Sequence, residues 1–260
     1  MGDLEPLLRY WRAQDALLGG VEPTRWGAVV SDRRYPSVQE ANYARVETGR
    51  PVGLGEVEAE LVTALARAGC RRAHVVVFRP EEQTGLLAAA STRGERIVWD
   101  LVMRHEGPVE RTADDPVLEI VAFDDAFWAA HRASTRLFGV SDERALDELS
   151  AMEREVLVPA GRRWFVVRDD RDRAVAFTAL LVLEGVGFVD HVLTLPDARR
   201  RGHARALTRR VQAEAHAAGA ERTYLLADPE GVAARMYEQL GFERITHLAS
   251  WISPLERRAR

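Results

Sequence analysis

One pattern occurs twice and limits what the chain can fold into. Residues 64–81 read ALARAGCRRAHVVVFRPE, and residues 214–230 read EAHAAGAERTYLLADPE. Each runs from the end of a helical stretch through a glycine (Gly69, Gly219) and an apolar strand to a proline–glutamate pair (Pro80-Glu81, Pro229-Glu230). A helix closed by glycine and followed by a short apolar run is one α/β unit. Two copies predict a duplicated architecture, with two related units in a chain of 260 residues.

The flanking periodicity fills in the units. Leu4 to Leu18 has helical spacing, with Leu7, Leu8, Trp11 and Leu17 as its buried stripe, and Ala28 to Val30 reads as a short strand before a loop at 31–37. Gly55 to Gly69 predicts a helix, Ala73 to Phe78 a buried strand, the residues after Pro80 a helix, and Arg96 to Met103 a strand. Apolar periodicity lapses from Arg104 to Pro116. The domain boundary is expected there, giving units 1–112 and 113–260. The second unit predicts a strand at 117–123, two helices (one carrying Phe127, Trp128 and Leu137, one over 142–157) and a three-stranded meander over 164–194. Helix, strand, helix and strand follow over 202–252. That order predicts an α+β fold with helices on one mixed, mostly antiparallel sheet.

Composition excludes several classes. With 47% apolar residues the chain can bury a core, and its net charge of −4 argues against a dedicated nucleic-acid binder. A single cysteine, Cys70, forms no internal disulfide and no cysteine-rich metal site. The start, Met-Gly-Asp-Leu-Glu-Pro, lacks the basic and apolar regions of a secretory signal, and charges interrupt every apolar run before the ~18 residues of a membrane span. The expectation is a cytoplasmic protein.

Chemistry concentrates in residues 189–206, VDHVLTLPDARRRGHARA. A β-branched strand ends at Thr194, Pro196 blocks its continuation, and a basic loop leads to a helix starting near Gly202. A helix start exposes unpaired N–H groups at the positive end of its dipole, which suits a phosphate where glycine allows close approach. Arg199, Arg200, Arg201 and Arg205 surround Gly202 and Ala204. The helix is expected to bury Ala204, Leu207, Val211 and Ala215 and to turn Arg205, Arg209, Gln212 and Glu214 outward. A Walker-type phosphate loop is excluded, since no Gly-Lys-Ser/Thr follows.

Arg199-x-x-Gly202-x-Ala204, preceded by Val192-Leu193-Thr194-Leu195-Pro196, resembles the acyl-CoA signature of the GNAT acyltransferase superfamily. A second element, Ala233-x-x-Met236-Tyr237-x-x-Leu240-Gly241-Phe242, is similar to the family's next motif, at matching spacing. Glu230 stands where that motif usually has asparagine, three residues before the alanine. The resemblance covers roughly residues 117–252.

The resemblance implies acetyl-CoA as co-substrate, its pantetheine arm paired with the backbone of Val192, Leu193 and Thr194. Its pyrophosphate would lie on the loop and helix start formed by Arg199, Arg200, Arg201, Gly202, His203, Ala204 and Arg205, with Glu230 at the position of the asparagine contact. Tyr237 matches the acid that protonates the departing thiolate; core packing is its plainer role. Asp190 and His191 are the candidate bases, with Asp228 a further one. As strand neighbours, Asp190 and His191 are expected to face opposite sides, so that one lines the cleft. No metal is implied. The first unit has no arginine run before its Gly55 helix and no tyrosine after Pro80, so it resembles a degenerate GNAT half that walls the acceptor cleft and covers a sheet edge.

Three functions are compatible with these residues to different degrees. The leading one is an N-acetyltransferase acting by direct attack of a primary amine of a small molecule, as monomer or homodimer, with no nucleic-acid or membrane partner. A catalytically silent acyl-CoA-binding protein is the alternative. A nucleic-acid module built on the arginines is disfavoured by the overall acidity and the lack of interleaved aromatics. Trp26, Tyr35, Trp128 and Phe138 are candidate pocket aromatics.

Overall fold

The computed structural model describes residues 4–109, 119–120 and 123–255. The first half runs α1 (Glu5–Asp15), β1 (Gly20–Pro23), β2 (Gly27–Ser31), β3 (Tyr43–Val46), α2 (Leu54–Ala68), β4 (Arg72–Val77), α3 (Thr84–Thr92) and β5 (Val98–Glu106). The second runs β6 (Glu119–Ile120), α4 (Asp125–Leu137), α5 (Glu143–Met152), β7 (Arg163–Arg168), β8 (Ala174–Leu183), β9 (Val186–Thr194), α6 (His203–Ala217), β10 (Arg222–Ala227), α7 (Val232–Glu238) and β11 (Glu243–Pro254). The expected boundary after residue 112 lies outside the described residues, as does the start of the strand expected at 117–123.

All eleven strands form one sheet, ordered β1-β2-β3-β4-β11-β5-β10-β9-β8-β7-β6. The α+β class and the mostly antiparallel sheet match the expectation: among the described residues only β3–β4 and β9–β10 pair in parallel. Reading outward from the β11–β5 junction, β4 corresponds to β10, β3 to β9, β2 to β8 and β1 to β7. The two helices that follow the paired strands correspond in the same way, α2 to α6 and α3 to α7. The duplicated segments therefore occupy equivalent places about an approximate two-fold axis. At that axis the halves are interleaved. The last strand, β11, inserts between β4 and β5, and β5 lies between β11 and β10.

Alternation along the strands divides the core into two layers. On one face α2 and α3 bury Val57, Leu61, Leu65 and Leu86 against Val75, Val77 and Trp251, and α6 and α7 bury Leu207, Val211 and Tyr237 with Leu101, Met103 and Leu225. On the other face α1 sets Leu7, Leu8 and Tyr10 in a cluster that joins Tyr43 and Phe78 of the first half to Leu181, Val186 and Phe188 of the second. Tyr10 stacks on Phe188 at 5.2 Å. A helix of the first half thus covers strands of the second.

Two strands, β1 and β3, carry no clear strand signal in the sequence. β1 contains a glycine and a proline, and β3 carries Arg45 in mid-strand. Arg45 is buried, paired with Asp15 of α1 and with Glu47, so its charge disguises a core position. Gln212 also departs from expectation. It points inward and donates from Nε2 to the Leu240 carbonyl oxygen at 3.1 Å, tying α6 to the end of α7.

Candidate active site

The helix start at residues 199–205 is built by backbone conformation. Arg200 (φ +63°) and Gly202 (φ +83°) both take the left-handed conformation, a turn geometry that presents successive amides to one side. No side chain caps α6, and its first intrahelical bond runs from Ala206 N–H to the Gly202 carbonyl oxygen. The earlier amides of the first turn lack intrahelical partners. A Cβ added at Gly202 would meet nothing within 4 Å, so the space over this helix end is open. Arg199 donates to the Thr194 carbonyl oxygen at 3.2 Å and fastens the loop to β9, and Arg205 bonds Gln239 of the α7 end. At Gly187, where a Cβ would fall 2.9 Å from the Ala215 Cβ, α6 packs closely on β9.

The two parallel strands separate beside this helix end. β9 and β10 pair from Val186↔Arg222 to Val189↔Leu225 and no further, although β9 continues to Thr194 and β10 stays paired with β5 to Ala227. A cleft of about 160 Å³ opens at the divergence, lined by Phe188 to Val192, Leu225, Leu226, Phe138 and Tyr237. Tyr237 comes from α7 on one face of the sheet and Phe138 from the end of α4 on the other, so the cleft passes between the strands. Thr194 Oγ1, near the end of β9, is buried without a hydrogen-bond partner among the described residues.

The alternation expected for Asp190 and His191 does not hold. The β8–β9 register shifts between Phe177 and Ala179, opposite residues 190–193, and His191 takes φ +54°. This bulge directs both residues to the same cleft. Asp190 accepts from its neighbour's amide, His191 N–H, at 2.7 Å, and its other oxygen bonds Arg162. Burial alone would raise the Asp190 carboxyl, but Arg162 and the His191 side of the bulge hold it below the usual carboxylate range. Arg162 also reaches Glu153 at 3.3 Å, and Glu153 accepts from the Trp164 indole at 2.6 Å.

His191 Nε2 lies 2.8 Å from Ser134 Oγ on α4. Its ring stacks on His131 at 5.6 Å and meets Phe138 and Trp164 edge-on at 4.8 and 4.9 Å. Desolvation lowers its pKa to about 4, leaving the imidazole neutral near pH 7. Burial raises the Tyr237 phenol to about 12, so it stays protonated. Asp228 accepts from Glu230 N–H at 3.0 Å and shapes the turn into α7. Of the candidate pocket aromatics, Phe138 lines the cleft, while Trp26 and Tyr35 are core residues. Trp128 lies under the Arg154 guanidinium at 4.7 Å. Ser134 and Arg162 had no signal in the sequence, because each reaches the site only through the tertiary fold.

The corresponding place in the first half is closed. β3 and β4 pair from Tyr43↔His74 to Val46↔Val77, and Phe78 N–H then donates to the Val46 carbonyl oxygen at 2.8 Å. Beyond it, Arg79 donates to the Glu47 carbonyl oxygen at 3.1 Å. The buried Gln83 carboxamide donates to the carbonyl oxygens of Thr48 and Arg50 and accepts from Val52 N–H. The α2 start has no left-handed residue and carries Glu56, paired with Arg25.

A parallel strand pair thus separates beside an uncapped, glycine-led helix start, a geometry that suits an anion. Residues 160–244 match the family described as acetyltransferase (GNAT) domain. In fold the chain is similar to a GCN5-related N-acetyltransferase from Kribbella flavida (TM-score 0.66, 18% identity, 98% of this chain and 97% of that one). It is also similar to a functionally unknown conserved protein from Staphylococcus epidermidis (TM-score 0.66, 12% identity, 87% and 90%). A third similar structure is a tandem GNAT protein from the clavulanic acid biosynthesis pathway (TM-score 0.50, 12% identity, 76% and 69%). None of the curated proteins matches the sequence. The family supports acyl transfer, and among the described residues no helix is long and apolar enough to cross a membrane.

Proposed function

We propose that the second half binds acetyl-CoA along β9 and the start of α6 and transfers the acetyl group to a primary amine of a small molecule by direct attack. The separation of β9 from β10 beside the Gly202 helix end carries this reading. It leaves an edge of β9 without a strand partner, next to amides that suit a pyrophosphate. Backbone groups of Val192, Leu193 and Thr194 would hold the pantetheine arm. Residues Arg199 to Arg205, His203 included, would hold the phosphates through amides and positive charge, and Glu230 would flank the α7 turn. Bound there, acetyl-CoA supplies the acyl group as an activated thioester.

Between the two candidate bases, the hydrogen bonding favours His191. Both Asp190 oxygens are engaged, one by the His191 amide and one by Arg162, so Asp190 holds the bulge. His191 is neutral and takes the proton the amine loses as its nitrogen bonds to the acyl carbon. Tyr237 gives its phenolic proton to the sulfur as the carbon–sulfur bond breaks. Glu40, on the turn before β3, lies within electrostatic reach of Asp190 and Arg162. Desolvation and the neighbouring Asp190 charge raise the Glu40 carboxyl above its ordinary value. A silent acyl-CoA-binding protein is the second reading, supported by Glu230 in place of asparagine. Release of free thiol from acetyl-CoA across a panel of small amines tests the proposal. Amine-dependent release supports transfer, and acetyl-CoA binding with no release on any amine supports the silent reading.

A further inference from the structure

Ser134 lies on α4, outside every motif, and is fully buried. Its hydroxyl is within 2.8 Å of two groups: the His131 carbonyl oxygen one turn back, to which it donates, and His191 Nε2. A hydroxyl has one proton to give and can accept in return. If Ser134 donates to the carbonyl, Nε2 must carry the ring proton and donate to Oγ, and both contacts are hydrogen bonds. If Ser134 turned its proton to Nε2, its bond to the carbonyl would be lost, leaving that oxygen only the Thr135 hydroxyl among side-chain donors, and Ser134 Oγ would receive no proton. The first arrangement makes one more hydrogen bond in a buried place, where each counts most.

We infer that Ser134 is a positioning residue that holds His191 as its Nε2–H tautomer and leaves Nδ1 as the proton-accepting nitrogen. This rests on the reading of His191 as the base. The rest of the ring's surroundings agree with it. Nε2 is directed into the α4 side by Ser134, and the ring stacks on His131 and meets Phe138 edge-on. Among the described residues Nδ1 has no hydrogen-bond partner, and it is not among the fully buried unsatisfied atoms of this cleft-lining residue. His131, Asp190 and Arg162 are the titratable or charged neighbours. His131 is neutral, and the charges of Asp190 and Arg162 offset each other.

The test is the nitrogen spectrum of the full chain labelled at histidine, at pH 7, with His191 assigned by its disappearance in His191→Gln. The expected pattern for His191 is a protonated Nε2 with a visible, slowly exchanging ring proton, and an unprotonated Nδ1. In Ser134→Ala that ring proton should exchange too fast to observe, while the backbone amide spectrum away from α4 stays as in the parent. A protonated Nδ1 in the parent chain overturns the inference whatever the variant does. An equally protected Nε2 proton in a folded Ser134→Ala does so too. The base reading stands apart from both, because it fails only if His191→Gln releases thiol from acetyl-CoA at the parent rate.

Discussion

The carboxamide of Gln83 donates to the carbonyl oxygen of Arg50 at 2.7 Å, in the place where the second half leaves its paired strands open. The same side chain satisfies Thr48 and Val52, so three backbone groups that could face a cofactor arm are already engaged. Gln83→Ala should therefore lower stability by about 1–3 kcal/mol, since it removes a buried carboxamide that satisfies a partly buried N–H and two carbonyls. Urea unfolding measures this. A loss within experimental error of zero would mean that water replaces the carboxamide freely.

Tyr237→Phe should lower turnover about 10- to 1000-fold with little change in acetyl-CoA affinity, because the ring still fills its place beside Phe242 and only the proton donor is removed. Single-turnover kinetics separate this from product release. An unchanged chemical rate would assign Tyr237 to packing alone.

Three histidines, His131 buried and His74 and His191 half-buried, are held in neutral form, with desolvation lowering His74 and His191 to about 4 and His131 to about 3. In the unfolded chain they would titrate near the ordinary value of 6.5. Their folded pKa values are depressed, so the unfolded chain binds more protons below that value. Stability is complete above about pH 6.5 and falls as pH drops toward 4, by about 1.4 kcal/mol per pH unit for each histidine fully titrated. Unfolding curves at pH 7, 6 and 5 should show this slope, and His131→Phe should make it shallower. A slope unchanged in a well-folded His131→Phe would contradict the account for that residue.

Interleaving of β5 and β11 makes the halves mutually dependent. Residues 113–260 produced alone would lack β5, leaving a gap between β10 and β11. Neither 1–112 nor 113–260 should unfold cooperatively by itself, and the two produced together should recover a melting transition raised by acetyl-CoA. Cooperative folding and acetyl-CoA binding by 113–260 alone would sink this prediction.

The sequence displays those parts of the fold that depend on local pattern. The β-branched β4, the glycine that closes α2 and the repeated segment are visible because propensity and punctuation act over neighbouring residues. The start of α6 is visible for the same reason, since proline, arginines and Gly202 occur together. What stays hidden depends on distant partners. Arg45 looks like a surface charge until Asp15 is beside it. Strict alternation separates Asp190 from His191, and only the shifted register against β8 brings them together. The placement of β5 and β11 at the two-fold axis follows from pairings between strands remote in sequence, which periodicity does not encode.

On the proposed function, acetyl-CoA binds once per chain, at the Gly202 helix end. Isothermal titration of the full chain with acetyl-CoA tests it most directly, alongside Gly202→Glu. A glutamate there needs a left-handed backbone and puts a negative charge in the open space over the helix start. The account predicts a stoichiometry near one for the parent chain and no measurable binding for a folded Gly202→Glu. A stoichiometry near two, or binding undiminished in that variant, would contradict it.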